Sequence, residues 1–292
     1  MIKVSALQFP DYRRLWIGAA CNQQGMSGEH VVLGLLVFQV TQSTAWVGII
    51  LAVYFLPMFA FGMLSGAVAD WMDRRVLLRR IELALILCHL GFAMLLSAGF
   101  LELWLLVAFT LALGSLRAMH QPVRVSYAYD IVGGQQVVAG LGLLNLGSRS
   151  GQLVGALLAG WVMHRFGAPA AILTCAAGHV VAYVMFSRLR STGVSAARNL
   201  APMRQNIREF AVELGRNKIL LMLLLVTASV EIFGFSFATA LPELATTRLN
   251  LGADGLGYLH AARAVGGIVA GLVLTFMRNF DRRGTAYLGV VG

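Results

Sequence analysis

Charge is what this chain has least of. Only 12% of its 292 residues are Asp, Glu, Lys or Arg, roughly half the share of an ordinary soluble domain. Hydrophobic residues make up 58%, and the mean hydropathy is +0.75. A chain this apolar cannot hide its surface from water in one compact soluble domain, so the bilayer is its natural solvent. Cysteine is also scarce. Cys21, Cys88 and Cys175 each lie in an apolar run with no CxxC or Cys/His spacing, which excludes a disulfide framework and a cysteine-based metal site. No metal or cofactor is expected. There is no HExxH, Walker loop, nucleophile elbow or pair of catalytic acids, so no enzyme is expected and no catalytic residue is named. No secretory leader is expected either: Met1 to Arg14 is polar and runs into a long span with no small-residue cleavage site.

Long apolar runs are present in number. A membrane helix needs about 20 mainly apolar residues, because each residue rises 1.5 Å through a core about 30 Å thick. That condition predicts spans near 15–40, 43–69, 76–99, 101–123, 137–163, 168–187, 219–241 and 256–277, with Thr285–Gly292 opening a ninth.

The formal charge of +10 could suggest nucleic acid, but its placement argues otherwise. Of 23 Lys and Arg, only Arg165 and Arg248 fall in outside loops and Arg117, Arg149 and Arg263 within spans, leaving 18 on one side. Positive charge gathers on the cytoplasmic side of membrane proteins. The expectation is a multi-pass protein of the bacterial inner membrane with a cytoplasmic N-terminus. Lipid is its main partner, with no nucleic acid and no obligatory protein partner. Residues 188–218 are long, basic and polar. Within them Pro202 can open a helix, and Met203, Ile207, Phe210, Ala211 and Leu214 share one face, as in a helix lying on a membrane surface.

The chain repeats itself. The second span begins near Gly48 and ends in Asp73-Arg74-Arg75; the eighth begins near Gly257 and ends in Asp281-Arg282-Arg283. The two Asp-Arg-Arg triplets are 208 positions apart and the two glycines 209. The first and seventh spans each follow a basic edge and carry one deep glutamate, Glu29 and Glu231. Duplicated halves are common in transporters. The expected organisation is a six-helix bundle over 1–190, a cytoplasmic linker over 191–218, and the first two to three helices of a second bundle over 219–292.

Gly66-Ala67-Val68-Ala69-Asp70-Trp71-Met72-Asp73-Arg74-Arg75 resembles the loop motif between helices two and three of the major facilitator superfamily, G-x-x-x-D-x-x-G-R-R, with Asp73 in place of the second glycine. That variation, Asp11-Tyr12-Arg13-Arg14-Leu15-Trp16 and Gln121-Pro122-Val123-Arg124 are similar to exporters of the enterobactin and macrolide-efflux branch. The resemblance implies an all-α membrane bundle that works by alternating access. It also implies that Gly66, Asp70, Asp73, Arg74 and Arg75 latch the two halves on the cytoplasmic side. By the same repeat, three to four helices of a roughly 400-residue carrier of two six-helix units are expected to be missing after Gly292.

A charge near the bilayer centre costs about 2.5–3.5 kcal/mol on insertion scales. Glu29 and Glu231 are therefore candidates for proton coupling, with a permanent pair to Arg117 or Arg149 as the structural alternative for Glu29. Asn22, Gln23, Arg117, Arg149 and Arg263 are candidates to line a substrate cavity, which Glu29 is expected to face. Gly147, Gly151 and Gly155, and Gly267 and Gly271, recur every four residues, a spacing that lets helix backbones approach closely. In a chain ending at Gly292, the glycine faces of spans five and eight are expected to meet lipid or another copy. The expected function is proton-coupled efflux of a small amphipathic organic molecule. The alternatives are an uptake carrier of the same fold and a non-transporting scaffold or gene remnant. A membrane-embedded enzyme ranks behind these.

Overall fold

The computed structural model describes residues 5–133, 137–191, 208 and 212–276, and their side chains except those of 5, 59–71, 230–232, 235 and 274–276. Among the described residues every regular element is helical. After a short 3₁₀ turn come α1 (Pro10–Thr41), α2 (Thr44–Trp71), α3 (Arg74–Ser97), α4 (Leu103–Val132) and α5 (Val137–Ser187). Beyond the linker lie α6 (Lys218–Phe235) and α7 (Gly252–Phe276), joined through short turns over 236–248. The expected amphipathic linker helix falls mainly outside the described residues; 212–216 are helical.

Local chemistry sets the boundaries. Pro10 occupies the first turn of α1, where its missing N–H costs nothing, and Asp11 complements the helix dipole there. Gln42 ends α1 in the left-handed conformation, its N–H returning to the Phe38 carbonyl. Asp73 is the N-cap of α3 and accepts from the Arg75 N–H at 2.9 Å. Gly167, at φ 83°, breaks α5 into two limbs, 137–166 and 168–187, where the sequence predicts a loop between two spans. The positive φ favours a residue without a Cβ.

Arg74–Ser97, Leu103–Val132, Val137–Ser187 and Gly252–Val273 are long and apolar enough to cross a membrane. α1 has the length at 32 residues, but Asn22, Gln23, Gln24, Glu29 and His30 lower its hydropathy. α3 shows why its polar groups point inward. Leu83, Leu87, Leu90 and Met94 are exposed on one face, while Leu78, Ile81, Glu82, Leu85, His89 and Phe92 are buried on the other. The helix turns its most apolar side outward, as lipid demands, and its ionisable side to its neighbours.

α1 is the central element, seated in the groove between the two limbs of α5. On the first limb, a Cβ on Gly151 would lie 2.0 Å from the Ala20 carbonyl oxygen, and one on Gly155 would lie 2.1 Å from that of Gln24. Gly147 abuts the Trp16 ring, whose indole N–H donates to the Leu143 carbonyl at 2.9 Å. Toward the second limb, Gly18 meets Phe186 and Gly25 meets His179. α2 packs on α4, α3 on α5, and α7 on the first limb of α5, with Gly160 and Gly257 facing each other's backbones. Gly267 and Gly271 face Arg149 and Leu146 of α5. The glycine faces expected to meet lipid or a second copy are therefore covered from within the chain: α1 fills the first seam and α5 the second.

Candidate functional site

Inside the first six helical stretches, α1, α3, α4 and α5 each bring ionisable or amide groups to one point. Arg117 of α4 donates from Nη2 to Glu29 Oε1 at 2.5 Å and from Nε to Oε2 at 3.3 Å, a two-point grip. Its Nη1 donates to Asn22 Oδ1 at 3.1 Å, and Asn22 Nδ2 donates to Glu82 Oε1 at 2.6 Å. His179 bridges the two acids, with Nδ1 2.8 Å from Glu82 Oε2 and Nε2 3.1 Å from Glu29 Oε1. His89 Nε2 lies 2.9 Å from Glu29 Oε1, and His120 Nε2 lies 3.0 Å from Glu82 Oε1. Glu29, Glu82, His89 and His179 have no solvent exposure, and Arg117 is 8% exposed. Arg117 grips Glu29 directly and reaches Glu82 only through Asn22. Such a cluster is held together by mutual satisfaction: removing one partner of a buried pair costs about 3–5 kcal/mol.

A cavity of about 820 Å³ lies beside this cluster, between α1, α2 and α4 on one side and the 236–242 turns and α7 on the other. Leu33, Val37, Ile50, Leu51, Phe55 and Met58 make most of its wall apolar, while His30, Thr110, Gln152, His260 and Arg263 supply polar points. Among the described lining residues there is no Asp or Glu. The His30 and Tyr54 rings meet edge to face at 5.0 Å, and the Arg263 guanidinium stands over the Phe237 ring at 6.0 Å. Thr239 closes against Gly48 and Pro242 against Gly34 at the end of the cavity remote from the basic loops.

The basic end carries a second cluster. Arg74 pairs with Asp130, tying the start of α3 to the end of α4. Arg75 is held by Asp73 at 2.5 Å and reaches the Arg190 carbonyl at 2.9 Å. Tyr127 donates to the Ser191 carbonyl at 2.8 Å. Asp11 accepts from the Ser191 N–H and hydroxyl, both at 2.6 Å, from the Arg190 N–H at 3.0 Å and from Arg14 at 2.6 Å. Burial raises the Asp11 carboxyl, but these donors outweigh it and hold the group below the usual carboxylate range.

The structure redistributes the residues singled out in the sequence. Glu29 does not face the cavity: its neighbour His30 does, and Glu29 turns about one residue's rotation away into the cluster. Arg117 is its partner, as the structural alternative required. Of the substrate-cavity candidates, Arg263 alone lines the wall. Asn22 and Arg117 belong to the buried cluster, and Gln23 is buried on α1. Arg149 sits in the α5–α7 seam, donating to Gln152 at 3.1 Å. Glu231 lies on α6, with its side chain outside the described residues, as are those of Gly66 and Asp70. Asp73, Arg74 and Arg75 make their described bonds within residues 1–191, where a latch between halves was the expectation. Asp73 replaces the motif glycine because it caps α3 and chelates Arg75.

Sequence reasoning missed Glu82 and the convergence of the histidines, treated there as scattered one per span. Seven-residue spacing was the available signal: Asn22 and Glu29, Glu82 and His89, and Arg117 and Arg124 each lie two turns apart on one helical face. No metal was expected from the sequence, and the grouping of Glu29, His89 and His179, whose donor atoms all lie within 4.8 Å of one another, was not foreseen there.

Fold and site define a polytopic helical bundle of the major facilitator type, with a cavity between helix groups and a buried charged cluster beside it. The chain belongs to the transmembrane secretion effector family of major facilitator transporters, whose profile matches residues 3–284. Among solved structures it is similar to a bacterial homologue of the human lysosomal transporter Spinster in an inward-facing, unoccupied conformation. The TM-score is 0.66 and identity 15%, over 94% of this chain and 63% of that one. An auto-inhibited peptide transporter of the POT family matches with a TM-score of 0.51 and 16% identity, over 88% and 54%. The chain thus spans less than two thirds of the length of these relatives. Comparison with curated proteins gives no match.

Proposed function

We propose that this protein serves export of a small amphipathic organic molecule by alternating access, driven by proton antiport across the inner membrane, with the N-terminus cytoplasmic. The observation that carries the reading is the cavity. Its volume of about 820 Å³ suits a drug-sized ligand, its wall is mainly apolar, and Arg263 is a cationic side chain among its described lining residues. An apolar body would lie along Leu33, Val37, Ile50 and Phe55 while an anionic or strongly polar head meets Arg263. Proton coupling is supported by the neighbouring cluster, where the buried carboxylates of Glu29 and Glu82 and the His179 imidazole between them are adjoining places for a proton. Glu231 stays a second candidate by the repeat, and Asp70 a candidate for conformational balance.

The test is accumulation and efflux of fluorescent amphiphiles, anionic and neutral, in cells and everted vesicles carrying the gene product. Arg263→Gln should reduce export of the anionic members by tenfold or more while the neutral ones change little. Glu29→Gln should abolish the response to a pH gradient with expression retained. Equal loss for both charge classes in Arg263→Gln refutes the head-group assignment, and unchanged pH dependence in Glu29→Gln refutes coupling there.

A further inference from the structure

The buried cluster presents more electron pairs than hydrogens at one point. His89 Nδ1 lies 2.7 Å from the Leu85 carbonyl oxygen. A carbonyl only accepts, so Nδ1 carries a proton, and in the neutral ring Nε2 presents a lone pair. That nitrogen belongs to a side chain with no solvent exposure and sits 2.9 Å from Glu29 Oε1. With the ring neutral, two acceptors face each other there, and a proton or a metal cation between them joins them. His179 repeats the arrangement. Its Nδ1 faces Glu82 Oε2 at 2.8 Å, and its Nε2 turns to the same Glu29 Oε1 at 3.1 Å. Arg117 Nη2 stands 3.2 Å from that nitrogen, the resident positive charge at the meeting point.

We propose that Glu29, His89 and His179 form a binding site for a divalent transition-metal cation of the Zn²⁺ or Co²⁺ class. Two imidazoles and one carboxylate are the donor set such ions take, whereas Mg²⁺ and Ca²⁺ require oxygen. Tetrahedral coordination at about 2.0–2.1 Å separates ligand atoms by about 3.3 Å. The two nitrogen–carboxylate separations already lie within a few tenths of an ångström of that. Each donor has an outer partner that fixes its orientation: the Leu85 carbonyl for His89, Glu82 for His179, and Arg117 Nε on Glu29 Oε2 at 3.3 Å. On loading, Arg117 Nη2 gives up its contacts with Glu29 Oε1 and His179 Nε2, while Nε keeps Oε2 and Nη1 keeps Asn22. The ion ties α1, α3 and the second limb of α5 together. The site stands independently of whether the protein exports anything.

The full chain, purified without a histidine tag and placed in lipid nanodiscs, is titrated with Co²⁺. Visible absorption and elemental mass spectrometry are the readouts. One Co²⁺ per chain is expected, with ligand-field bands of a nitrogen–oxygen site and a raised melting midpoint. His89→Gln and His179→Gln should each weaken binding at least tenfold, and Glu82→Gln, which acts through His179, by about 10–100-fold. His164→Gln, a histidine outside the cluster, should leave binding unchanged. Absence of stoichiometric Co²⁺ and of any melting shift in the unmodified chain overturns the proposal, and that measurement needs no variant to fold. Undiminished binding in monodisperse His89→Gln and His179→Gln overturns it equally. So does a thiolate charge-transfer band, which would move the ion to a cysteine. A cluster that holds only a proton gives the first of these results.

Discussion

Gly151→Ala adds one methyl group where two helix backbones touch. An ideal Cβ there lies 2.0 Å from the Ala20 carbonyl oxygen and 2.8 Å from its carbon, whereas ordinary contact begins at 3.4 Å. The 1.4 Å shortfall falls on backbone atoms, so no rotamer change relieves it; α1 must move off the first limb of α5. Overpacking of this kind costs about 1–3 kcal/mol, while alanine returns at most about 1 kcal/mol in helix propensity. The net expectation is destabilisation by about 1–2 kcal/mol. Gly142→Ala is the matched control, since nothing lies within 4 Å of a Cβ there on the same helix. Thermal unfolding in detergent with a thiol-reactive dye is the assay, with the partly exposed Cys21 and Cys88 replaced by Ser throughout, because Cys175 is fully buried and labels only when α1 and α5 part. Gly151→Ala should release the thiol several degrees earlier, and Gly142→Ala at or above the wild-type temperature. Equal midpoints for both variants would refute the seam.

Arg117→Met leaves Glu29 without its guanidinium and should cost about 3–5 kcal/mol, while Arg117→Met combined with Glu29→Gln should cost less than the sum of the single changes by melting analysis. Asp11→Asn should lower the melting midpoint at neutral pH. Because the folded carboxyl is depressed, its contribution is complete above the unfolded value near 3.9 and is lost as pH falls through the folded one. Wild type and Asp11→Asn should therefore converge on acidification below about pH 4, and a constant gap would contradict this role. Single cysteines at Thr192 and Glu102 in a Cys-free background should label from opposite sides of the membrane; labelling of both from outside would overturn the orientation.

Helix existence was legible because lipid selects for it directly: twenty apolar residues in a row have few other uses. The paired spans either side of Gly167 could be separated from composition alone. The glycine spacing in α5 announced a close contact but not its partner, since α1 carries no matching signature beyond small residues at Gly18, Ala20, Gly25 and Gly28. Direction was harder still. Glu29 and His30 are adjacent, yet one enters the cluster and the other lines the cavity, because a helix turns 100° per residue and the sequence does not state which face meets which neighbour. Glu82 escaped notice because it stands beside Arg79 and Arg80 near the start of the predicted 76–99 span, away from the span's middle where a deep acid was sought. Only the tertiary contact with Asn22 and His179 places it in the interior.

The seat of α1 on α5 has a mechanical meaning. Along the seam, Trp16, Ala20 and Gln24 meet Gly147, Gly151 and Gly155 in step, so both surfaces repeat every four residues. Sliding by less than a full period drives a carbonyl or an indole into a filled position. The next equivalent register lies about 6 Å away at 1.5 Å per residue. The seam therefore acts as a detent. It resists gradual drift of the first helix, and any excursion that carries Glu29 away from Arg117 must be a whole click or a tilt about the glycines.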